Sequence, residues 1–208
     1  GVRDNLSIWT FAHNAVNGWF MFGLVGIFYY MVPKMTGLEG KDAPYPHFLS
    51  KIHFIAVCIF IPPSALHHLL YNEAPVNEFW KTAGEWTSVG MLIPTFIWFY
   101  IVAVSIKNSK KPLGVPGKFV VATMIFYLMI CVQGSSQSIR FINDFTHATQ
   151  WVVGHAHLAL FGFISFGAFG FTYWILSEYY GDNSFSTNFG NSHFWLAIIG
   201  FLGMFIPL

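Results

Sequence analysis

The sequence predicts an all-α fold, a polytopic bundle of transmembrane helices. Three observations carry this. Of the 208 residues, 55% are hydrophobic and only 9% charged, against roughly 25% charged in an ordinary soluble domain. The apolar residues gather into six stretches, most of them as long as the roughly 20 residues that cross a bilayer. The charges fall almost entirely between those stretches. A soluble fold of this size needs more polar surface than these charges supply, and a bilayer removes that need.

The first stretch runs from Ile8 to Val32 and ends at Pro33-Lys34. The second runs from Ile52 to Tyr71 and is interrupted by Pro62-Pro63. The third runs from Trp86 to Ile106, the fourth from Phe119 to about Ile139, and the fifth from Trp151 to Leu176. The sixth begins near His193. The chain does not open on Met and stops at Leu208 inside an apolar run, so it is expected to be part of a longer polypeptide. No soluble domain, internal repeat or low-complexity segment is evident.

Assigning the loops alternately to two sides puts Lys34, Lys41, Lys51, Lys107, Lys110, Lys111 and Lys118 together. The other side holds only Arg3, Lys81 and Arg140. The positive-inside rule makes the lysine-rich side cytoplasmic, so the chain enters its first span from the outer face. A formal net charge of +1 provides no basic face for nucleic acid. Cys58 and Cys131 lie within apolar runs and read as small buried hydrophobes, not as a disulfide or redox pair.

Nine histidines in so apolar a chain need an explanation. His13 falls about one and a half turns inside the outer end of the first span. His67 and His68 fall about one turn before the outer end of the second, and His155 and His157 one to two turns inside the outer end of the fifth. Each alone would read as a hydrogen-bonded interior histidine. Five at one depth, in an outer half where polar side chains are costly and face the bundle interior, point to shared metal or haem ligation, the ordinary use of neutral imidazole. His53 and His193 near cytoplasmic ends, and His47 and His147 at loops, read as interfacial or capping.

Helical spacing divides the work. His155 and His157 point about 200° apart on a regular helix and are suited to two different cofactors, one on either side of the fifth span. His67 and His68 point about 100° apart and converge on one ion only if the helix is distorted. Pro62-Pro63 supplies a reason for distortion. His13 would complete a three-histidine site.

These residues also carry a family resemblance. The run His13-Asn14-Ala15-Val16 with Tyr29-Tyr30-Met31-Val32-Pro33-Lys34 resembles the sixth helix of subunit I of cbb3-type cytochrome c oxidases. Ser50-Lys51-Ile52-His53-Phe54 with His67-His68-Leu69-Leu70-Tyr71 resembles the seventh. The run from Thr149 to His157 resembles the tenth, and His193-Phe194-Trp195-Leu196-Ala197 the eleventh. The combination is specific to the haem–copper oxidase superfamily, including its nitric oxide reductase branch. It implies that residues 1–208 form part of the transmembrane catalytic domain of a roughly twelve-helix respiratory-chain subunit.

The resemblance implies that His13, His67 and His68 hold a non-haem metal, copper or iron. It implies that His155 ligates a high-spin b-type haem and His157 a low-spin one, whose second ligand lies outside the chain. It further implies an electron-transport oxidoreductase of the bacterial inner membrane, with its site towards the periplasm. Electrons would come from a membrane-anchored c-type cytochrome subunit, and the substrate would be a small gas, NO or O2.

Three positions depart from the cbb3 pattern. The seventh-helix tyrosine six residues before the histidine pair, cross-linked to a metal histidine in those oxidases, is here Ile61. Other oxidase branches place the tyrosine four residues after the first metal histidine, and cytochrome c-linked nitric oxide reductases place a glutamate there; here that position is Asn17. Asn17 can ligate or hydrogen-bond near the metal, or pack as a polar residue between helices. A Glu-Gly pair on the ninth helix is here Gln133-Gly134. With Ser135, Ser136, Gln137 and Ser138 this end of the fourth span is polar enough to hold water.

The tyrosine supplies an electron and a proton when O2 is cleaved, whereas reducing two NO to N2O needs only two electrons and two protons. Its loss favours NO reduction, with O2 reduction to water as the alternative. A desaturase-like di-metal enzyme would need histidine boxes at cytoplasmic helix ends, and a transporter would leave the histidines without metal.

Overall fold

The protein is described by a computed structural model covering residues 2–71, 74–181 and 183–208. It is a helical bundle, with no strand among the described residues. Among the described residues, five helices are long and apolar enough to cross a membrane: Arg3–Thr36, Phe48–Leu69, Glu78–Lys107, Gly114–Gln137 and Gln150–Tyr180. The first five predicted stretches correspond to them in order. Each helix extends past the apolar core that predicted it at one or both ends, because backbone hydrogen bonding continues into polar end turns that hydropathy does not register.

The sixth stretch forms the helix Thr187–Phe205, which is not among those five. Its first turns carry Thr187, Asn188, Asn191 and Ser192, which dilute its apolarity. A short helix, Arg140–Thr146, follows the fourth span and was not predicted. Arg140 ties it to the third span by bonding Glu78, Glu85 and Thr82.

Two of the spans are not regular. The first widens to π-helix over Ala15–Met21, two residues after His13. The fifth does the same over Leu158–Ser165, immediately after His157. The second keeps its α-helix through Pro62 and Pro63 to Ser64 and then tightens to 3-10 helix over Ala65–Leu69. Proline removes an amide donor and crowds the preceding turn, and a 3-10 turn is the usual way a helix end absorbs that loss.

The fourth span is the most enclosed of the five. Its Phe119, Phe126 and Tyr127 pack with Trp98 of the third span, Phe163 and Phe166 of the fifth and Phe201 of the closing helix. Large apolar side chains such as Phe11, Trp19, Trp86 and Phe189 face outward, a surface that lipid or other membrane helices solvate and water does not. Cys58 is among the exposed residues, against the expectation that it is buried. Its helix turns it away from the rest of the bundle, so an apolar neighbourhood in sequence does not mean an interior face.

Candidate metal centre and haem ligands

The first two spans bring His13, His67 and His68 together. One ring nitrogen from each lies within 4.8 Å of the others. His13 and His67 are buried. The 3-10 turn lets the adjacent pair converge, with ring centroids 4.5 Å apart. His13 Nδ1 lies 3.4 Å from His68 Nε2. Two nitrogens held tetrahedrally at about 2.0–2.1 Å from one ion would be about 3.3 Å apart.

The donor set fits a metal on a further ground. His67 Nε2 is buried and has no hydrogen-bond partner, while His67 Nδ1 lies 2.9 Å from Ser88 Oγ. A buried nitrogen left unpaired costs free energy unless something else satisfies it. His13 Nε2, on the far side of that ring, lies 2.9 Å from Ser64 Oγ. Trp9 stacks flat on His68.

His155 faces the same cavity from the fifth span, along with Asn17, Ile61, Ser64, Cys131 and Gly134. Its Nδ1 lies 3.1 Å from Gln133 Oε1, which leaves Nε2 as the nitrogen for an iron. Gly134 makes room for the ring, since a Cβ there would lie 3.1 Å from His155 Cε1. The Gln-Gly pair thus acts on a single histidine: the amide holds it and the glycine clears space for it. His157 is only partly buried, and its Nδ1 donates to the Val153 carbonyl at 2.8 Å. One nitrogen of His157 therefore also remains available.

Asn17 presents its amide nitrogen to His13, 3.2 Å from both Nε2 and the backbone carbonyl. Ile61 is buried and lines the cavity. No tyrosine is among the residues lining it.

The other histidines separate from the site in different ways. His53 was expected at an interface, but it is fully buried with both ring nitrogens unpartnered, 5.7 Å from the Tyr29 ring. The helix starts at Phe48, five residues before His53, which carries it inside the bundle. His193 lies 3.0 Å from the Tyr173 hydroxyl, His47 bonds the Gly40 carbonyl, and His147 stacks on Tyr71.

The polar end of the fourth span is drawn into direct bonds between spans. Ser135 donates to the Ser88 carbonyl, Gln137 accepts from Trp151, and Asn143 donates to the carbonyls of His67 and Gln137. The supporting residues Trp9, Ser64 and Ser88 were not picked out from the sequence. Each is remote from its histidine along the chain, and a lone Ser or Trp in a span carries no signal of its partner.

The whole chain, residues 1–208, matches the family described as Cytochrome C and Quinol oxidase polypeptide I. The chain belongs to that family.

Among subunit I relatives, the chain is similar to the cbb3-type cytochrome c oxidase subunit CcoN1 of Stutzerimonas stutzeri. The two are 29% identical over 203 residues, covering 96% of this chain and 42% of that protein. It is also 29% identical over 210 residues to cytochrome c oxidase subunit 1 of Rhodobacter capsulatus, covering 96% of this chain and 37% of that one. A subunit 1 from Thermus thermophilus is 24% identical, covering 100% of this chain and 39% of the other. The chain thus spans about two fifths of the length of these relatives. The oxidase subunit I family implies haems and a copper or iron centre, and the clustered histidines suit that implication.

Proposed function

We propose that this chain is the metal-binding part of a catalytic subunit I in a respiratory oxidoreductase that reduces a diatomic gas. His13, His67 and His68 would hold the non-haem metal, and His155 a high-spin b-type haem on the opposite wall of the cavity. His157 would hold a low-spin b-type haem on another side of the fifth span. When bound, these metals would supply the electrons for reducing the gas. The protein's own part is to orient the imidazoles, keep bulk water out of the cavity and hold its lining groups in place. Electrons would come from a membrane-anchored c-type cytochrome subunit. The lysine distribution supports a site towards the outer face, and the membrane would be a bacterial inner membrane.

The gas we favour is NO, reduced to N2O. The observation that carries this is the cavity lining: Ile61 stands where the cbb3 resemblance places a tyrosine, Asn17 where other oxidases have theirs, and no tyrosine replaces either. An isoleucine donates neither electron nor proton, which two-electron NO reduction tolerates better than O–O cleavage does. Reduction of O2 is the second reading, favoured by relatives whose names are those of cytochrome c oxidases.

The deciding experiment uses the full-length protein with reduced cytochrome c, following NO and O2 consumption side by side and assaying non-haem copper and iron. N2O production is the expected result. Consumption of O2 with NO left untouched selects the second reading, and absence of a haem Soret band rejects both.

A further inference from the structure

We propose that Ser64 and Ser88 are positioning residues that fix which ring nitrogen His13 and His67 turn to the metal. The inference rests on the metal centre proposed above and concerns how this chain builds it. Its basis is a count of hydrogens. A serine hydroxyl has one hydrogen to donate and two lone pairs to accept with.

Ser64 Oγ donates that hydrogen to the Ile61 carbonyl at 2.7 Å. Its second contact, with His13 Nε2 at 2.9 Å, is therefore one in which the ring N–H donates to Oγ. Neutral imidazole has one N–H, so the lone pair of His13 is on Nδ1. That is the atom facing His68 Nε2 at 3.4 Å.

Ser88 repeats the logic on the third span. Both other bonds open to its hydroxyl hydrogen are to carbonyls, Gly84 O at 2.6 Å and Ser64 O at 3.3 Å. The 2.9 Å contact with His67 Nδ1 is then N–H donating to Oγ. The lone pair of His67 is on Nε2, which is also the buried nitrogen without a protein partner. The ligand set is thus Nδ1 from His13 and Nε2 from His67, chosen by two hydroxyls before any metal arrives.

Both hydroxyls are withdrawn from bulk solvent, Ser64 being 2% and Ser88 3% exposed. The opposite tautomer of His13 would need Ser64 to withdraw its hydrogen from the Ile61 carbonyl and give up that 2.7 Å bond. The pair is also braced across spans. Ser88 reaches the Ser64 carbonyl, and Ser135 of the fourth span donates to the Ser88 carbonyl at 2.8 Å. With His13 Nε2–H committed to Ser64, the Asn17 amide hydrogens belong to the His13 carbonyl, and Asn17 packs beside the ring on the side away from Nδ1.

The test uses the full-length holoprotein with single Ser64→Ala, Ser88→Ala, Ser64→Thr and Ser88→Thr substitutions. Non-haem metal per haem is measured by elemental analysis during challenge with an excess of chelator, and haem absorption bands report folding. Outer hydrogen-bond partners of metal histidines typically change affinity about 10–100-fold, so each alanine variant should lose metal at least about tenfold faster than wild type with its haem bands unchanged. The threonine variants, which keep the hydroxyl, should hold metal as wild type does.

Alanine variants that keep both haem bands and metal at the wild-type rate overturn the inference and leave the metal centre standing. Threonine variants that lose metal as fast as the alanines do so too, because the hydroxyl would then not be the cause. A wild-type protein with haems but no non-haem metal overturns the centre and this inference together.

Discussion

The indole of Trp9 lies flat on the imidazole of His68, with ring centroids 4.3 Å apart and 14° between the planes. Unlike His13 and His67, which are each gripped by a serine, His68 is held mainly by stacking. An aromatic pair of this kind is worth about 0.5–1.5 kcal/mol beyond its buried area. Trp9→Ala should therefore speed chelator-driven metal loss by about twofold to tenfold, and Trp9→Phe should largely restore it. Equal loss rates in all three proteins would show that the stacking does not hold the ligand.

The bond between Gln133 and His155 predicts a change in haem potential. A neutral amide accepts the His155 N–H at present. In Gln133→Glu a carboxylate would accept it, and charge-assisted bonds are roughly twice as strong as neutral ones. A more electron-rich imidazole favours ferric iron. The high-spin haem midpoint should fall by about 60 mV, the one-electron equivalent of a tenfold change in equilibrium constant. Gln133→Leu should move it the other way. A redox titration followed in the Soret region reads both, and a midpoint that ignores the added charge would count against the bond.

Gly84 marks the closest approach of the third span to the turn that carries the histidine pair. A Cβ there would lie 2.7 Å from Leu66 Cβ and 2.9 Å from the Leu66 carbonyl carbon. Backbone cannot step aside as a flexible side-chain end can, so Gly84→Ala must push the turn or its own span. Overpacking of this kind costs about 1–3 kcal/mol. The variant should show a lower thermal midpoint and weakened metal retention, while alanine at the open Gly23 should change neither.

The fifth-span histidines should separate spectroscopically. His155 lines the cavity, and His157 does not. His155→Ala should abolish carbon monoxide binding at the high-spin haem, and His157→Ala should chiefly disturb the six-coordinate haem bands. Indistinguishable reduced-minus-oxidised and carbon monoxide difference spectra would remove the division between them.

Much of the arrangement is legible in the amino-acid order because it depends on short-range periodicity. The apolar runs give the spans, and the depth of His13, His67 and His68 within them gives the cluster. Pro62-Pro63 anticipates the distortion that lets neighbouring histidines converge. What resists reading is what depends on contacts between spans. Ser64 and His13 are 51 positions apart, Ser88 and His67 21, and Gln133 and His155 22. Nothing local marks one serine in an apolar helix as a partner of a given imidazole. His53 shows the same limit in reverse: closeness to a span end suggested an interface, but helix continuity and neighbouring spans bury it.

The wide turns at Ala15–Met21 and Leu158–Ser165 have a consequence for comparing this chain with its relatives. A π turn closes i→i+5 bonds where an α turn closes i→i+4, so each takes up one residue that a regular helix would have no room for. Deleting one residue inside either segment should let the helix close into α geometry with the far half keeping its facing, whereas one residue lost from regular helix turns the far half by about 100°. Inserting or deleting one residue elsewhere in the same helix has no such slack. Length differences between homologous sequences within these two helices should therefore gather at the wide turns, and a gap placed elsewhere would assign side chains to the wrong face of the bundle.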